Sequence, residues 1–256
     1  MPDGTRTCVR SVSVACFCAL WLVLISLLFP MCALGAGLSL GWLDCRAQGG
    51  AGSSDLGPGC ESTISEYALF PGIVLATPQD SVLSMELVID VDVAADSLPA
   101  WWHMESGGCR AGGWRADTAP ALSCDDAWGG LGTANVQGWL VGSPGNSRRH
   151  GRLLVAVSAI PGNLIGLAAD VPYSACRVLL RTNNTPDCPG CSTPACLVFN
   201  SLLIRRAPGS SVEEIFYAAA ESAGSNMVQW QGALGADCQS VPVRRTTWGA
   251  VKSLYR

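Results

Sequence analysis

The feature that most constrains this chain is an apolar leader followed by nine cysteines. Arg6 and Arg10 precede the apolar run SVSVACFCALWLVLISLLF (Ser11 to Phe29), and small residues follow in CALGAG. That order is the layout of a signal peptide, with cleavage expected near Gly35 or Ala36. A retained anchor is the alternative, since the run is long enough to span a bilayer at about 18 to 20 residues. Contact with a membrane is therefore expected only through an uncleaved leader. Phe29, Pro30 and Met31 lack the small residues that lipidation at Cys32 would need. The expected organisation is a signal peptide at 1–36 and one domain at 37–256 in the secreted, periplasmic or cell-envelope space.

Four of the 13 cysteines fall in the leader, and the other nine are Cys45, Cys60, Cys109, Cys124, Cys176, Cys188, Cys191, Cys196 and Cys238. In an oxidising compartment such cysteines pair, and an odd number leaves one thiol over. Cys176 is the expected free one, because the alternation in YSACRVLLR places it on the packed side of a strand. Joining Cys45 to Cys60 would close the loop RAQGGAGSSDLGPGC and stabilise the fold by about 3 kcal/mol. A Cys109 to Cys124 bridge would pin the excursion between them.

Apolar residues make up 49% of the chain, enough for a packed core, while 29 glycines and 15 prolines without period favour short elements joined by turns. In VLSMELVIDVDV the residues Val82, Met85, Leu87, Ile89, Val91 and Val93 repeat at a period near two, which predicts a strand with one buried face. GLSLGWLDC, NVQGWLVG, RLLVAVSAI, YSACRVLLRTN and CLVFNSLLIRR read as further strands. SVEEIFYAAAES (Ser211 to Ser222) is the best helix candidate, with Ser211 as cap and Glu214 three positions on; a helical turn laid across a sheet is the other reading. Together these predict a mainly β fold: an antiparallel β-sandwich, jelly-roll or immunoglobulin-like, with long disulfide-pinned loops and one or two short helices.

Net charge is −4 and only 14% of residues are charged, so no nucleic-acid partner is expected. The Cys188-x-x-Cys191-x4-Cys196 cluster has the spacing of a zinc knuckle, but no second ligand pair completes four ligands, and export favours a disulfide clasp. CPGC lacks the βαβ context of a redox motif. His103 and His150 are the two histidines, and no G-x-S-x-G elbow accompanies them, so the case for a triad is weak. Asp90 with Asp92, Asp125 with Asp126, and Glu213 with Glu214 are the paired carboxylates a glycoside hydrolase would need. Asp90 and Asp92 read equally as the solvated side of a half-exposed strand, and Asp125 and Asp126 as turn caps or calcium ligands. Trp101, Trp102, Trp114 and Trp128 lie in loops, where they either stack on a glycan or plug the core. No catalytic residue, metal or cofactor is assigned.

LPAWWHMESGGCR, LSCDDAWGG, CPGCSTPACLVFNSLLI, VQWQGALGADC and the closing TWGAVKSLYR together resemble an uncharacterised family of predicted secreted, cysteine-containing bacterial proteins that end in a W-G-x-V-K-S-L-Y-R string. The likeness runs from about Gly37 to Arg256. It implies cysteines at 45, 60, 109, 124, 188, 191, 196 and 238 and an aromatic residue in place of Cys176. The family has no established activity, so no functional residue carries over. In the tail, Trp248, Val251 and Tyr255 would share one face of a short helix capped by Thr247 and docked on the sandwich; a recognition tag is the alternative.

The expected function is therefore a secreted, non-catalytic β-sandwich that binds a glycan or another envelope protein, or forms part of an assembly. An extracellular carbohydrate-active hydrolase and a zinc-binding extracellular module are the alternatives.

Overall fold

Fourteen short strands, one after another with almost no helix between them, make up the computed structural model, which describes residues 35–60, 66–143, 147–182, 187–222 and 225–238. The leader up to residue 34 and the C-terminal string lie outside the described residues.

The strands are β1 (Gly37–Trp42), β2 (Asp55–Leu56), β3 (Glu66–Val74), β4 (Gln79–Val93), β5 (Trp114–Asp117), β6 (Asp125–Asp126) and β7 (Gly132–Val141), followed by β8 (His150–Ala159), β9 (Ile165–Leu167), β10 (Pro172–Ser174), β11 (Arg177–Arg181), β12 (Ala195–Arg206), β13 (Glu214–Tyr217) and β14 (Met227–Trp230). They form two sheets. The first runs β5-β11-β3-β10-β6, with β1 also paired to β3; the second runs β2-β14-β12-β4-β8-β7, with β13 beside β12 and β9 beside β4. Pairing is antiparallel except where β6 meets β10 and β2 meets β14.

Why these strands stack follows from their alternation. Val82, Met85, Leu87, Ile89, Val91 and Val93 all turn inward from β4 and meet Leu38, Leu40, Leu69, Ile73, Val178 and Leu180 of the first sheet in one core. The fold class expected from the sequence, a mainly β sandwich, is the fold observed. The expected helix at 211–222 is corrected: it contains strand β13. Ile215 and Tyr217 pack against the core, while Glu214 and Phe216 point out, and the segment extends β12 in register from Leu202–Tyr217 to Arg205–Glu214. The single strand expected around Cys176 is broken into β10 and β11 at Ala175, whose carbonyl accepts the Trp128 indole N–H at 2.7 Å.

Four disulfides join Cys45 to Cys124, Cys60 to Cys191, Cys109 to Cys188 and Cys196 to Cys238; Cys176 is free and buried. The pairings Cys45 to Cys60 and Cys109 to Cys124 are thus corrected. The glycine-rich loop after β1 crosses from the first sheet to β2 in the second and parts Cys45 from Cys60. Strand β5 likewise carries the chain away between Cys109 and Cys124. Cys45–Cys124 lies in a small cluster with Phe70 and Val74 on the outer side of β3, and Cys196–Cys238 pins residues 231–238 against Val198 on the outer side of β12.

The two lateral seams of the sandwich differ. On one side β1 bonds across to the connection between β13 and β14: Leu38 N–H to Ala219 O at 2.8 Å, Leu40 N–H to Ser225 O at 2.8 Å, and Glu221 N–H to Leu38 O at 3.0 Å. On the other side β5 packs beside β7, and Thr118 Oγ1 donates to Gly132 O at 3.1 Å. No ladder joins these two strands.

Candidate functional site

The loop between β4 and β5 carries the densest chemistry. Its 3-10 turn Ala100–Trp102 is tied down by Trp101 N–H donating to Pro189 O at 3.0 Å, next to the Cys109–Cys188 bridge. That anchorage drives Trp101 and Trp102 inward, where their rings meet edge to face at 4.9 Å. Trp101 stacks on Trp230 at 5.0 Å, Trp230 contacts Trp42 and Tyr67, and Trp102 leads through Trp114 to Trp139. Such offset and tilted contacts are what ring quadrupoles favour.

Trp101, Trp102 and Trp128 are almost fully buried and offer no open ring face to a sugar. They plug the core beneath pinned loops. Trp114 is also buried, but it lines a groove of about 310 Å³ at the open seam. One wall of that groove is Met104, Glu105 and Trp114; the other is the β7 run from Val136 to Leu140. Sequence reasoning missed Trp139, Met104 and Glu105, because the walls come from different sheets and meet only in the folded body. Trp139 was visible only as part of the expected strand NVQGWLVG.

His103 Nδ1 lies 2.7 Å from Glu105 Oε1, and its Nε2 lies 3.1 Å from Leu98 O. Both ring nitrogens therefore face acceptors, and the ring locks the loop onto Glu105. Glu105 Oε2 and the indole N–H groups of Trp101, Trp102, Trp114 and Trp139 are buried without a partner. Arg110 lies 3.9 Å over the Trp101 ring and donates to Trp101 O at 3.3 Å, while its Nη2 has no partner. Burial lowers its pKa to about 10.

Most of the other candidates are engaged in bonds, while Asp125 is exposed on the short strand β6. Asp90 and Asp92, expected on a solvated face, are buried on the outer side of β4. Asp90 takes Arg152 Nε at 2.6 Å and Nη2 at 2.9 Å, and Asn200 Nδ2 as well. Asp92 takes Arg149 Nε at 3.1 Å, lies 2.5 Å from His150 Nε2, and accepts the Asp237 N–H at 2.7 Å. Register makes this possible, since Asp90 faces Arg152 and Asp92 faces His150 across β4 and β8. Asp126 caps a turn, accepting the N–H groups of Trp128 at 2.9 Å and Gly130 at 2.7 Å. Glu214 pairs with Arg205, and Glu213 Oε1 accepts the Gly209 N–H at 3.3 Å.

Asp44 is bound as tightly. It accepts the Ser123 hydroxyl at 2.6 Å and the N–H groups of Cys45, Leu122 and Ser123 at 2.8, 2.9 and 3.1 Å. Burial pushes its pKa up, but these bonds outweigh burial and hold it below the ordinary value. Cys188, Cys191 and Cys196, the zinc-knuckle cysteines, each belong to a different disulfide.

No protein-family model and no curated protein matches the chain. A solved structure of AvmM, described as catalysing macrocyclization in alchivemycin A biosynthesis, matches 73% of this chain and 90% of its own at 13% identity, with a TM-score of 0.31. A likeness at that level carries no argument here.

Proposed function

We propose that the protein is an exported bacterial β-sandwich without catalytic activity that binds a partner, or forms part of an assembly, outside the cytosol. The observation that carries this reading is the set of four disulfides with the ninth cysteine, Cys176, buried. Such bridges form and persist in oxidising compartments. Burial raises the Cys176 thiol's pKa, which keeps it in the unreactive protonated form.

The absence of an enzymatic role is supported by how the paired carboxylates are used. Asp90, Asp92 and Glu214 are held by arginines and Asp126 by turn amides, which favours a structural part for each over acid–base chemistry. The binding role is supported by the groove at the open seam, where apolar walls surround a few polar groups with unused bonding capacity.

The test is thiol counting and mass spectrometry on protein recovered from the medium or the envelope fraction. The expected result is a chain lacking its leader, with no alkylatable thiol in the native state and one after denaturation. A fully reduced chain, or zinc bound in stoichiometric amount, would overturn the reading.

A further inference from the structure

We propose that one corner of the sandwich, formed by Leu131, Ile160, Pro161 and Leu164, inserts shallowly into the surface of a lipid bilayer and keeps the mature domain at a membrane. The sequence led to an expectation of membrane contact only through an uncleaved leader; this contact belongs to the folded body. It rests on the export proposed above, which decides the side of the membrane that is met, and not on the groove.

The first argument is how the corner is built. Gly132 and Ala159 are the last pair of the β7–β8 ladder, and Ala159 packs against the core. The next pair therefore faces away from the core. It is Leu131 and Ile160, joined by Ile160 N–H donating to Leu131 O at 2.7 Å. A tight turn follows, in which Asn163 N–H donates to Ile160 O at 3.0 Å. Leu164 then turns outward because Ile165 and Leu167 of β9 turn inward. Leu131, Ile160 and Leu164 are 41%, 40% and 55% exposed, with Pro161 exposed beside them. Single exposed aliphatics are ordinary, whereas adjacent ones at a loop tip mark a contact.

The second argument selects lipid as the occupant. In a chain with 14% charged residues, the stretches Ala127 to Ser147 and Ser158 to Ala169 contain none. The corner also supplies bonds to its own backbone: besides the two above, Leu131 N–H donates to Trp128 O at 2.9 Å and Asn163 Nδ2 to Ile160 O at 3.2 Å. Hydrocarbon offers no hydrogen bonds, so a surface that enters it must bring its own. A protein partner sets no such condition, and a few side chains at a corner fall well short of the roughly 800 Å² per partner that a stable protein interface takes. A bilayer needs only aliphatic side chains that reach the boundary between headgroups and acyl chains.

The third argument is placement. Only four residues connect Val74 of β3 to Gln79 of β4, so those strand ends lie at one end of the sandwich, and Gly37 at the start of β1 pairs with Val74. Because β8 runs antiparallel to both β4 and β7, it finishes at that end and β7 starts there. The chain thus enters the body at the end that carries the corner, and a leader held in the bilayer during export brings that end to the membrane. The charged side chains around it, Asp80, Asp170, Arg206, Glu213 and Glu221, are acidic in excess. That balance sets the lipid: a zwitterionic surface is preferred and an anionic one repels.

The experiment uses the full mature, disulfide-bonded protein and sedimented vesicles of phosphatidylcholine, with and without phosphatidylglycerol. The expected result is binding to phosphatidylcholine that added salt leaves unchanged and phosphatidylglycerol weakens. Leu164→Ser is expected to weaken binding by about fivefold, and Ile160→Ser combined with Leu164→Ser by about thirtyfold, both with an unaltered melting temperature. Leu122→Ser, at a leucine 96% exposed beside Asp44, is expected to change nothing. Leu164→Trp adds a reporter that lipids brominated high on the acyl chain are expected to quench. No binding at millimolar lipid, equal losses from Leu122→Ser and Leu164→Ser, or binding only in the presence of phosphatidylglycerol overturns the proposal. So does a solution dimer that Leu164→Ser dissolves, since a second copy would then cover the corner. Failure on vesicles together with the expected thiol count leaves export standing, and vesicle binding by a chain found reduced in cells ends the export reading alone.

Discussion

Asp90 and Arg110 are buried to nearly the same degree, 5% and 6% exposed, yet the fold treats them in opposite ways. Asp90 sits on the outer side of the second sheet with a two-pronged arginine and an asparagine, its charge answered on the spot. Arg110 sits in the aromatic loop with one carbonyl, one ring face and an idle Nη2. Burial of a charge is tolerable when partners replace its water and costly when they do not. The charges of the outer face thus hold each other, with Asn200 Oδ1 and Glu86 Oε2 the atoms left over there, whereas in the loop and seam a buried charge itself keeps polar capacity unspent.

The sharpest way to break the comparison is Asp90→Ala, which strands Arg152 and Asn200 in a buried place. Chemical denaturation is expected to show a loss of about 3 to 5 kcal/mol, the cost of orphaning a buried ionic partner. A loss below 1 kcal/mol would mean that water reaches the network.

A smaller effect is expected at Asp44, a third buried carboxylate answered mainly by backbone. Its folded pKa is lowered, so its contribution is complete above the ordinary carboxylate value of about 3.9 and fades as pH falls through the lowered folded value. Asp117, lowered by its Arg177 bonds against the opposing push of burial, adds to the same acid limb. Asp44→Asn is expected to cost about 2 kcal/mol at neutral pH. Below pH 4 the gap between variant and parent should close, as read by urea midpoints across the pH series.

The smallest change is expected where intuition would place a large one. Arg110→Met keeps the packing over Trp101 and removes a buried cation without a carboxylate. Its stability should stay within about 1 kcal/mol of the parent, in either direction. A loss beyond 3 kcal/mol would reveal an anionic partner for Arg110 and erase the contrast.

What was legible in the sequence was whatever repeats along one strand. Val82 to Val93 announces its inward face because burial in a sandwich has a period of two. Cys176 announced itself as the thiol left over because it lies within such a repeat. Illegible were the relations between distant segments. Nothing near Asp90 tells that Arg152 will stand opposite it, and a solvated reading is the natural one until the register of β4 on β8 is known. The bridges failed for the same reason, since Cys45 and Cys60 are neighbours in sequence but belong to different sheets. Ser211 to Ser222 misled in another way: its capping pattern is local, whereas Ile215 and Tyr217 answer to the free edge of β12. The groove could not be foreseen, as Trp114 and Trp139 meet only when the two sheets close.

The bridge pattern also has a bearing on biogenesis. A chain emerging from its N-terminus presents Cys45 with Cys60, then Cys109 with Cys124, and neither couple is native. Three of the four mates wait for a cysteine far downstream, and Cys60 must stay uncommitted until Cys191 arrives, 131 residues later. Oxidant alone would freeze the early couples. Bridges made in order of emergence would have to be reshuffled by thiol–disulfide exchange to reach the native set, in which the last link, Cys196 to Cys238, is the one couple between successive cysteines.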